Sequence, residues 1–416
     1  MNTKRFFPCW FLLVASCPLF SAAAEQPDVE WIARIDASLE RAGAWLIEHQ
    51  SPDGAWRSDF YGMFRNGRAI TPYVMNCLFF LPQAGAEAGA SYRRGVEFLV
   101  GFVDADGRIH LNDGPLLFPV YTASLASRAV ALPGRTERNI RAQQAWLALV
   151  QQRQLDESLG WTSTDPEYGG WGFSLRLPQK PLPGQLRGRF FESNLSATIF
   201  ALAAMRSART PPDDPAYRRA LVFVKRCQNF SEVPDRANPR FDDGGFYFLP
   251  DDPVQNKAGI AGVDRFGRVR FHSYGTMTAD GVRALLACGL PRDHPRVLAA
   301  RRWLEGHFSA EHNPGDFEPE REILQDATYY YWVWAASHAL MALGVDKLDT
   351  PSGSVAWAHI LAEAVLERQA TDGSWRNSYT DAREDDPLVA TPWAAASLAV
   401  CRLVITGEYQ TLGLPK

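Results

Sequence analysis

The sequence contains two copies of the pattern Gln-x-x-Asp-Gly-x-Trp, one near each end. The copies are formed by Gln50, Asp53, Gly54 and Trp56 and by Gln369, Asp372, Gly373 and Trp375. Each copy follows a segment whose apolar residues have helical spacing. Glycine can adopt the left-handed conformation that ends a helix, and tryptophan supplies a large ring that packs back onto it. The pattern therefore predicts a structural connection between paired helices, not a catalytic site.

Weaker copies between these two extend the repeat along the chain. Six amphipathic segments are predicted to be outer helices, at residues 31–50, 92–103, 137–154, 215–228, 295–308 and 355–369. Each is followed by a segment that is apolar almost all round, which is typical of a helix buried on both sides. These six inner segments are residues 70–81, 118–132, 195–205, 277–290, 329–343 and 388–404. Six helix pairs predict an all-α fold, an α6/α6 toroid with one ring inside the other.

Composition agrees with one large globular unit. The chain has 416 residues, of which 46% are hydrophobic and 22% are charged, so it has enough apolar side chains for a large core. Its net charge is only −4, and no basic run with interleaved aromatic residues occurs, so we expect no nucleic-acid partner. We expect residues 25–416 to form a single toroid domain.

The N-terminus has the features of an export signal. Lys4 and Arg5 precede an apolar run over residues 6–20, and Ala22 to Ala24 form a small-residue cleavage site. Residues 1–24 are therefore predicted to be a signal peptide, and the protein to be exported, either periplasmic or secreted. A second interpretation is cleavage before Cys17 with lipid attachment there. No later apolar stretch is free of charge over a bilayer's width, so no transmembrane helix is expected in the mature chain.

Four cysteines would remain after cleavage. An even number in an exported protein permits disulfides. Each of the four nevertheless lies in an apolar helical pattern, where cysteine behaves as a small buried hydrophobe, which is the interpretation that we favour. They are Cys77, Cys227, Cys288 and Cys401.

The Gln-Trp patterns, together with residues 194–198, 274–278 and 372–375, resemble the squalene-hopene cyclase and protein prenyltransferase repeat superfamily. Within it, they look most like a bacterial single-toroid branch, and the resemblance covers residues 30–405. It implies an α/α toroid with an enclosed centre and a ligand of the isoprenoid class.

The acid signature of the cyclases is absent. Those enzymes use Asp-x-Asp-Asp-Thr at the start of an inner helix to protonate an alkene. The corresponding segments, residues 67–71, 118–122, 192–196, 274–278 and 387–391, do not keep these acids. Glu192 is the nearest remnant, although a solvated acid at a helix start is the simpler interpretation. Asp280 is the other catalytic candidate, because it interrupts an apolar inner helix and either faces the cavity or pairs with Arg283.

The zinc site of the prenyltransferases is absent as well. It requires an Asp-x-Cys pair and a histidine, and no Asp-x-Cys occurs in the sequence. His338 and Cys288 lie on two inner segments, but two ligands without a carboxylate make a poor zinc site. We therefore expect neither a metal nor another cofactor.

Aromatic residues are concentrated at the starts of the inner segments. Rings that face a closed cavity can hold an isoprenoid, although each ring taken singly can equally pack against an outer helix. The predicted ligand-binding residues are Tyr121, Asn194, Tyr274, Tyr330 and Trp334.

Three functions are consistent with these features. The first is an exported cyclase-like toroid that binds, and as an enzyme would transform, an apolar isoprenoid. The second is a glycan-active toroid similar to polysaccharide lyases, with His110, His272, Tyr274 and Arg270 as its reactive groups. The third is a non-catalytic scaffold for another protein. A deep aromatic cavity favours the first, a basic open cleft the second and a plugged barrel the third. The sequence leaves the oligomeric state open.

Overall fold

The computed structural model describes residues 29–78, 81, 85–111, 114–131, 136–182, 184–185, 192–233 and 237–411. The predicted signal peptide and Cys17 lie outside these residues.

The described residues form thirteen α-helices, twelve of which alternate between an outer and an inner ring. The outer helices are α1 (Val29–Glu48), α3 (Gly85–Val100), α5 (Glu137–Gln151), α7 (Pro215–Arg226), α9 (Pro295–His307) and α12 (Trp357–Glu367). The inner helices are α2 (Ile70–Leu78), α4 (Pro119–Ala131), α6 (Leu195–Ser207), α8 (Gly275–Ala287), α11 (Tyr329–Leu343) and α13 (Pro387–Ile405). The short helix α10 (Ile323–Ala327) precedes α11. The predicted all-α toroid is confirmed.

Among the residues that the structure describes, strands are confined to three short antiparallel pairs in the connections. These are β1 (Trp171–Gly172) with β2 (Ser193–Asn194), β3 (Ile260–Val263) with β4 (Val269–Phe271), and β5 (Leu348–Thr350) with β6 (Gly353–Val355).

The inner ring is closed. Each inner helix packs against the next one along the chain, and α13 packs against both α11 and α2. Apolar residues cover these helices almost completely because one side meets the outer ring and the other meets the centre. Helix α13 is long and apolar enough to cross a membrane by composition, but 78% of its most apolar window is buried inside the protein. Its composition therefore has a sufficient explanation in the core.

Glutamine side chains join neighbouring outer helices. The Gln50 amide donates to the carbonyl of Gly54 in its own turn and to that of Ser91 in the next outer helix, both at 2.9 Å. Gln154 and Gln228 bridge α5 to α7 and α7 to α9 in the same way. Gln369 donates to Ser38 at 3.0 Å and so connects the last outer helix, α12, to the first, α1. This contact closes the outer ring.

In four of the turns, a glycine packs on the backbone of a neighbouring outer helix; these glycines are Gly54, Gly169, Gly244 and Gly373. Gly54 has a φ of +91°, and a Cβ atom there would lie 2.2 Å from the Arg94 carbonyl oxygen. At Gly169 the corresponding distance, to the Arg219 carbonyl oxygen, is 1.9 Å. Both the left-handed backbone and the contact exclude a side chain, so glycine is required.

The tryptophan connects the outer ring to the inner ring. Trp56 donates its indole N–H to Leu46 near the end of α1, and its backbone N–H donates to the Thr71 hydroxyl on α2. In the third pair, the backbone N–H of Trp171 donates to the hydroxyl of Thr198. The equivalent position is therefore Thr198 and not Ser196, which corrects the predicted register by two residues. The sequence was ambiguous because both hydroxyls lie in the same apolar run.

All four cysteines in the described residues are free thiols. Cys77, Cys227 and Cys401 are buried and Cys288 is half-buried. Burial raises the pKa of each thiol, so these groups are unreactive parts of the core.

Candidate functional site

The inner ring holds neighbouring chambers near the N-terminal ends of its helices. The aromatic chamber, of about 250 Å³, is walled by α2, α4, α6, α11 and α13. The polar chamber, of about 350 Å³, adjoins it and extends to α8 and the loop around Lys257. The two share a wall made of Tyr121, Phe173, Ser196, Tyr331, Ala382, Arg383 and Trp393. The two chambers are therefore direct neighbours.

Rings dominate the aromatic chamber. Tyr121 stacks on Phe173 with ring centroids 5.6 Å apart, and Tyr331 stacks on Trp393 at 4.7 Å. Other rings complete the wall, and aliphatic side chains fill the space between them. The aromatic lining consists of Phe64, Tyr73, Phe118, Tyr121, Phe173, Phe200, Tyr331 and Trp393. Such a surface binds apolar groups and favours a cation over the ring faces.

Two residues with left-handed backbone lie in this lining. Phe118 has a φ of +47° and Arg383 a φ of +62°, and the Arg383 guanidinium carbon lies 6.0 Å from the centre of the Phe118 ring. A non-glycine residue in this region carries strain of about 1–3 kcal/mol, and such strain is concentrated at functional sites.

The polar chamber differs in its hydroxyl and charged groups. Tyr274 and Thr276 are each 1% exposed, and neither hydroxyl has a hydrogen-bond partner. Lys257 and Arg383 contribute cationic side chains to the same lining. Burial lowers the pKa of Lys257, although the carboxylates of Glu384 and Asp381 act in the opposite direction.

A hydrogen-bonded chain leads from the chamber wall to Asp280. The Ser196 hydroxyl bonds to that of Tyr331, which in turn donates to Asp280 at 2.5 Å. The Asp280 carboxylate also pairs with Arg283 at 3.0 Å. Burial raises the pKa of Asp280 to about 6, against the opposing effects of Arg283 and Tyr331. Of the two alternatives predicted for Asp280, the pairing with Arg283 is present, and the carboxylate approaches the cavity only through Tyr331.

A smaller chamber of about 50 Å³ lies next to the aromatic chamber, towards the C-terminal ends of the inner helices. Arg128, Arg283, His338 and Trp334 contribute to its lining. Burial, reinforced by Arg283, lowers the pKa of His338 to about 3, so its imidazole is neutral. His338 bonds to the Trp334 carbonyl of its own helix at 2.8 Å.

Three of the predicted ligand-binding residues line these chambers. Tyr121 lies in both large chambers, Tyr274 in the polar chamber and Trp334 in the small one. Asn194 instead caps α6 by accepting from the Ala197 N–H.

Tyr330 lies away from the central chambers. It lines a separate surface pocket with Arg368 and Arg376. Tyr331 is the ring of this helix that faces the centre, together with Trp334, because residues three apart share one face of a helix. Three consecutive tyrosines begin α11, and the sequence pattern does not indicate which of them faces the centre.

The two candidate catalytic acids occupy different environments. Glu192 is half-buried and accepts from the Gln255 amide at 3.3 Å. Asp280 is completely buried behind Tyr331. The structure therefore does not bring the two carboxylates together in one site.

The residues predicted for glycan chemistry are dispersed. Tyr274 lines the polar chamber, whereas His110 pairs with Asp104 at 2.6 Å in the turn after α3. Arg270 forms an ion pair with Asp242 at 3.1 Å.

Sequence reasoning missed Lys257, Arg383, Tyr331 and Trp393 as members of the lining. Lys257 and Arg383 lie in connecting loops, where no periodicity indicates which way a side chain faces. Trp393 lies in an apolar segment that is buried on all sides, so its pattern does not distinguish the cavity from the core.

No family model matches the sequence, and no curated protein does. Solved structures do match over nearly the whole chain. A variant of type II terpene cyclase MstE from Scytonema, in complex with its substrate geranylgeranyl dihydroxybenzoate, is 14% identical, covers 91% of this chain and 99% of its own, and has a TM-score of 0.54. Another variant in complex with the product merosterolic acid A is 16% identical, with the same coverages and a TM-score of 0.52.

The same cyclase without a ligand is 15% identical, covers 89% of this chain and 99% of its own, and has a TM-score of 0.52. These similarities agree with the resemblance carried by the Gln-Trp patterns. The chain has the α/α toroid fold that is found in type II terpene cyclase MstE.

Proposed function

We propose that this protein binds an isoprenoid chain in the aromatic chamber. The observation that carries the proposal is the nearly continuous wall of rings between five inner helices. A buried aromatic surface of this kind gains free energy by removing a long apolar chain from water. The polar chamber, which adjoins the aromatic chamber, provides space for the rest of the molecule.

The positions of the acidic side chains favour binding of the isoprenoid without acid-initiated cyclisation. Among the described residues that line the two large chambers, the one carboxyl group belongs to Asp381, which is exposed. Asp280 is separated from the chambers by Tyr331 and is held by Arg283. A general acid must reach the atom that it protonates in a place that excludes competing water; Asp280 does not line either chamber, and Asp381 is exposed.

Titration with geranylgeraniol tests this proposal. We expect saturable binding with a negative heat-capacity change, because apolar surface becomes buried. Ala382 lines both large chambers from a connecting loop, so Ala382→Trp should fill the space and weaken binding by about ten-fold or more. The matched control is Ala370→Trp, since Ala370 is exposed in the turn after α12. Absence of binding to the unaltered protein, or an unchanged affinity in Ala382→Trp, would overturn the proposal.

We propose further that the protein acts outside the cytoplasm. The support is the charged start, the apolar run and the Ala22 to Ala24 site of the N-terminus. N-terminal sequencing of the protein from a periplasmic or culture fraction should find Glu25 as the first residue. Lipid-modified Cys17 would instead establish the anchored form.

A further inference from the structure

Lys257 lies in the polar chamber without a partner. Its side chain is half-buried, and among the residues that the structure describes it has no hydrogen bond or ion pair. Removing an ammonium group from water is costly unless an opposite charge or hydrogen-bond acceptors replace the water. A hydrogen-bond acceptor or anionic group of a bound ligand would therefore be stabilised next to the unpaired ammonium group of Lys257.

Two buried hydroxyls lie in the wall of the same chamber. Tyr274 and Thr276 are each 1% exposed and have no hydrogen-bond partner through their hydroxyl oxygens. Buried polar groups in proteins are almost always hydrogen-bonded, so unpaired ones that line a cavity indicate a polar ligand or ordered water. Both residues line the chamber that Lys257 also lines.

The backbone around the chamber favours negative charge as well. Ser196, Thr276 and Tyr331 come from the first turns of α6, α8 and α11, so the positive ends of three helix dipoles are near the chamber.

Two carboxylates nearby could neutralise Lys257. The buried Glu384 carboxylate is occupied by the backbone N–H groups of Tyr330 and Tyr331, both at 2.9 Å. Asp381 is exposed and forms no ion pair with Lys257 in the described part of the chain. Neither carboxylate therefore forms an ion pair with the ammonium group of Lys257.

We propose that the polar chamber holds an anionic head group, a carboxylate or a phosphate, of the isoprenoid whose chain lies in the aromatic chamber. Lys257 supplies the opposite charge, and Tyr274 and Thr276 donate hydrogen bonds. The inference rests on the proposed function and specifies its ligand class as an amphiphile with one charged end. The shared wall gives the two chambers the arrangement that such a molecule requires.

The test compares three probes that share one chain: farnesyl monophosphate, farnesoic acid and farnesol. We expect the unaltered protein to bind at least one anionic probe about ten-fold more tightly than the alcohol, since hydrogen bonds to a charged group are stronger than those to a neutral hydroxyl. The preferred anion then distinguishes phosphate from carboxylate. Lys257→Met should remove this preference and leave the affinity for farnesol within about two-fold.

Two further variants complete the design. Tyr274→Phe should weaken the preferred anion by about five-fold without changing farnesol binding, because it removes one donor and keeps the ring. Lys347→Met is the matched control, since Lys347 is exposed and outside the chamber lining. Circular dichroism and thermal melting of all variants establish that each is folded.

The outcomes separate the two proposals. If none of the probes binds, the isoprenoid function itself is overturned. If the three bind equally, or if Lys257→Met keeps the preference for the anion, the head-group assignment is wrong while the apolar chamber stands. Loss of the preference in Lys257→Met but not in Lys347→Met supports the assignment.

Discussion

The turns between the two rings and the wall of the central chambers follow different rules. In the turns, Gln50 and Gln369 make the same pair of hydrogen bonds although they are at opposite ends of the chain. In the wall, equivalent positions carry unlike residues. Asn194 caps its helix at the position where Tyr274 lines the polar chamber. Repetition thus accompanies groups that hold the toroid together, and variation accompanies groups that face the cavity.

This contrast is sharpest for two tryptophans near the C-terminus. Trp375 is completely buried in a turn and donates to Val365, whereas Trp393 lies half-buried in the chamber wall. Trp375→Ala should lower the free energy of unfolding by about 3–5 kcal/mol, as expected for a core tryptophan. Trp393→Ala should cost at most about 2 kcal/mol, because its ring already borders empty space, and should weaken geranylgeraniol binding. Urea denaturation measures the free energy of unfolding of both variants, and ligand titration measures their affinity for geranylgeraniol. Equal destabilisation by the two variants would remove the distinction drawn between turn and wall.

Glycines test whether the turns depend on backbone contact. Gly54→Ala would place a methyl group against the Arg94 carbonyl in a left-handed backbone, so we expect a loss of about 3 kcal/mol. The control is Gly306→Ala on the exposed side of α9, where a Cβ meets nothing within 4 Å. That change should stabilise the protein by about 0.5–1 kcal/mol, since alanine has the higher helix propensity. Thermal melting measures the change in stability of both variants. If both changes have the same sign, the proposed contact between Gly54 and the Arg94 carbonyl does not limit the residue at this position.

The pH dependence of stability should distinguish the interior from the turns. Because burial raises the pKa of Asp280 to about 6 from 3.8, the folded state holds its proton more tightly than the unfolded state. This carboxyl group therefore lowers stability as the pH rises from about 4 to about 6, by at most about 3 kcal/mol. Asp53 behaves in the opposite way, because its hydrogen bond with Arg57 lowers its pKa.

Urea denaturation across this pH range tests the interior contribution. Asp280→Asn should be less stable overall, because Arg283 loses its ion-pair partner, and its stability should depend less on pH between 4 and 6. Asp53→Asn is the comparison in the turn: Asp53 is exposed, so its loss should change the slope little. An unchanged slope in Asp280→Asn would mean that another buried group, such as Glu384, whose pKa burial raises to about 8, dominates the profile.

The parts of the fold that the sequence predicted depend on short-range interactions. Helix α11 was predicted with its observed limits because its apolar run has clear boundaries, and Gly344 ends it in a left-handed conformation. The start of α2 was also predicted, whereas Leu81, the predicted last residue of this helix, lies in a bend outside it. Helix ends depend on capping groups that periodicity does not reveal.

The sequence by itself determined the toroid. Helical spacing, glycine at the turns and tryptophan behind them act within one repeat or between neighbours, so their consequences can be predicted locally. The tertiary structure decided which side chains share the chambers. Lys257, Tyr331 and Trp393 come from a loop and two inner helices that meet only when the ring closes. Burial then sets the charge of Asp280 and leaves Tyr274 without a partner, because both effects depend on the loss of water from groups far apart in the chain.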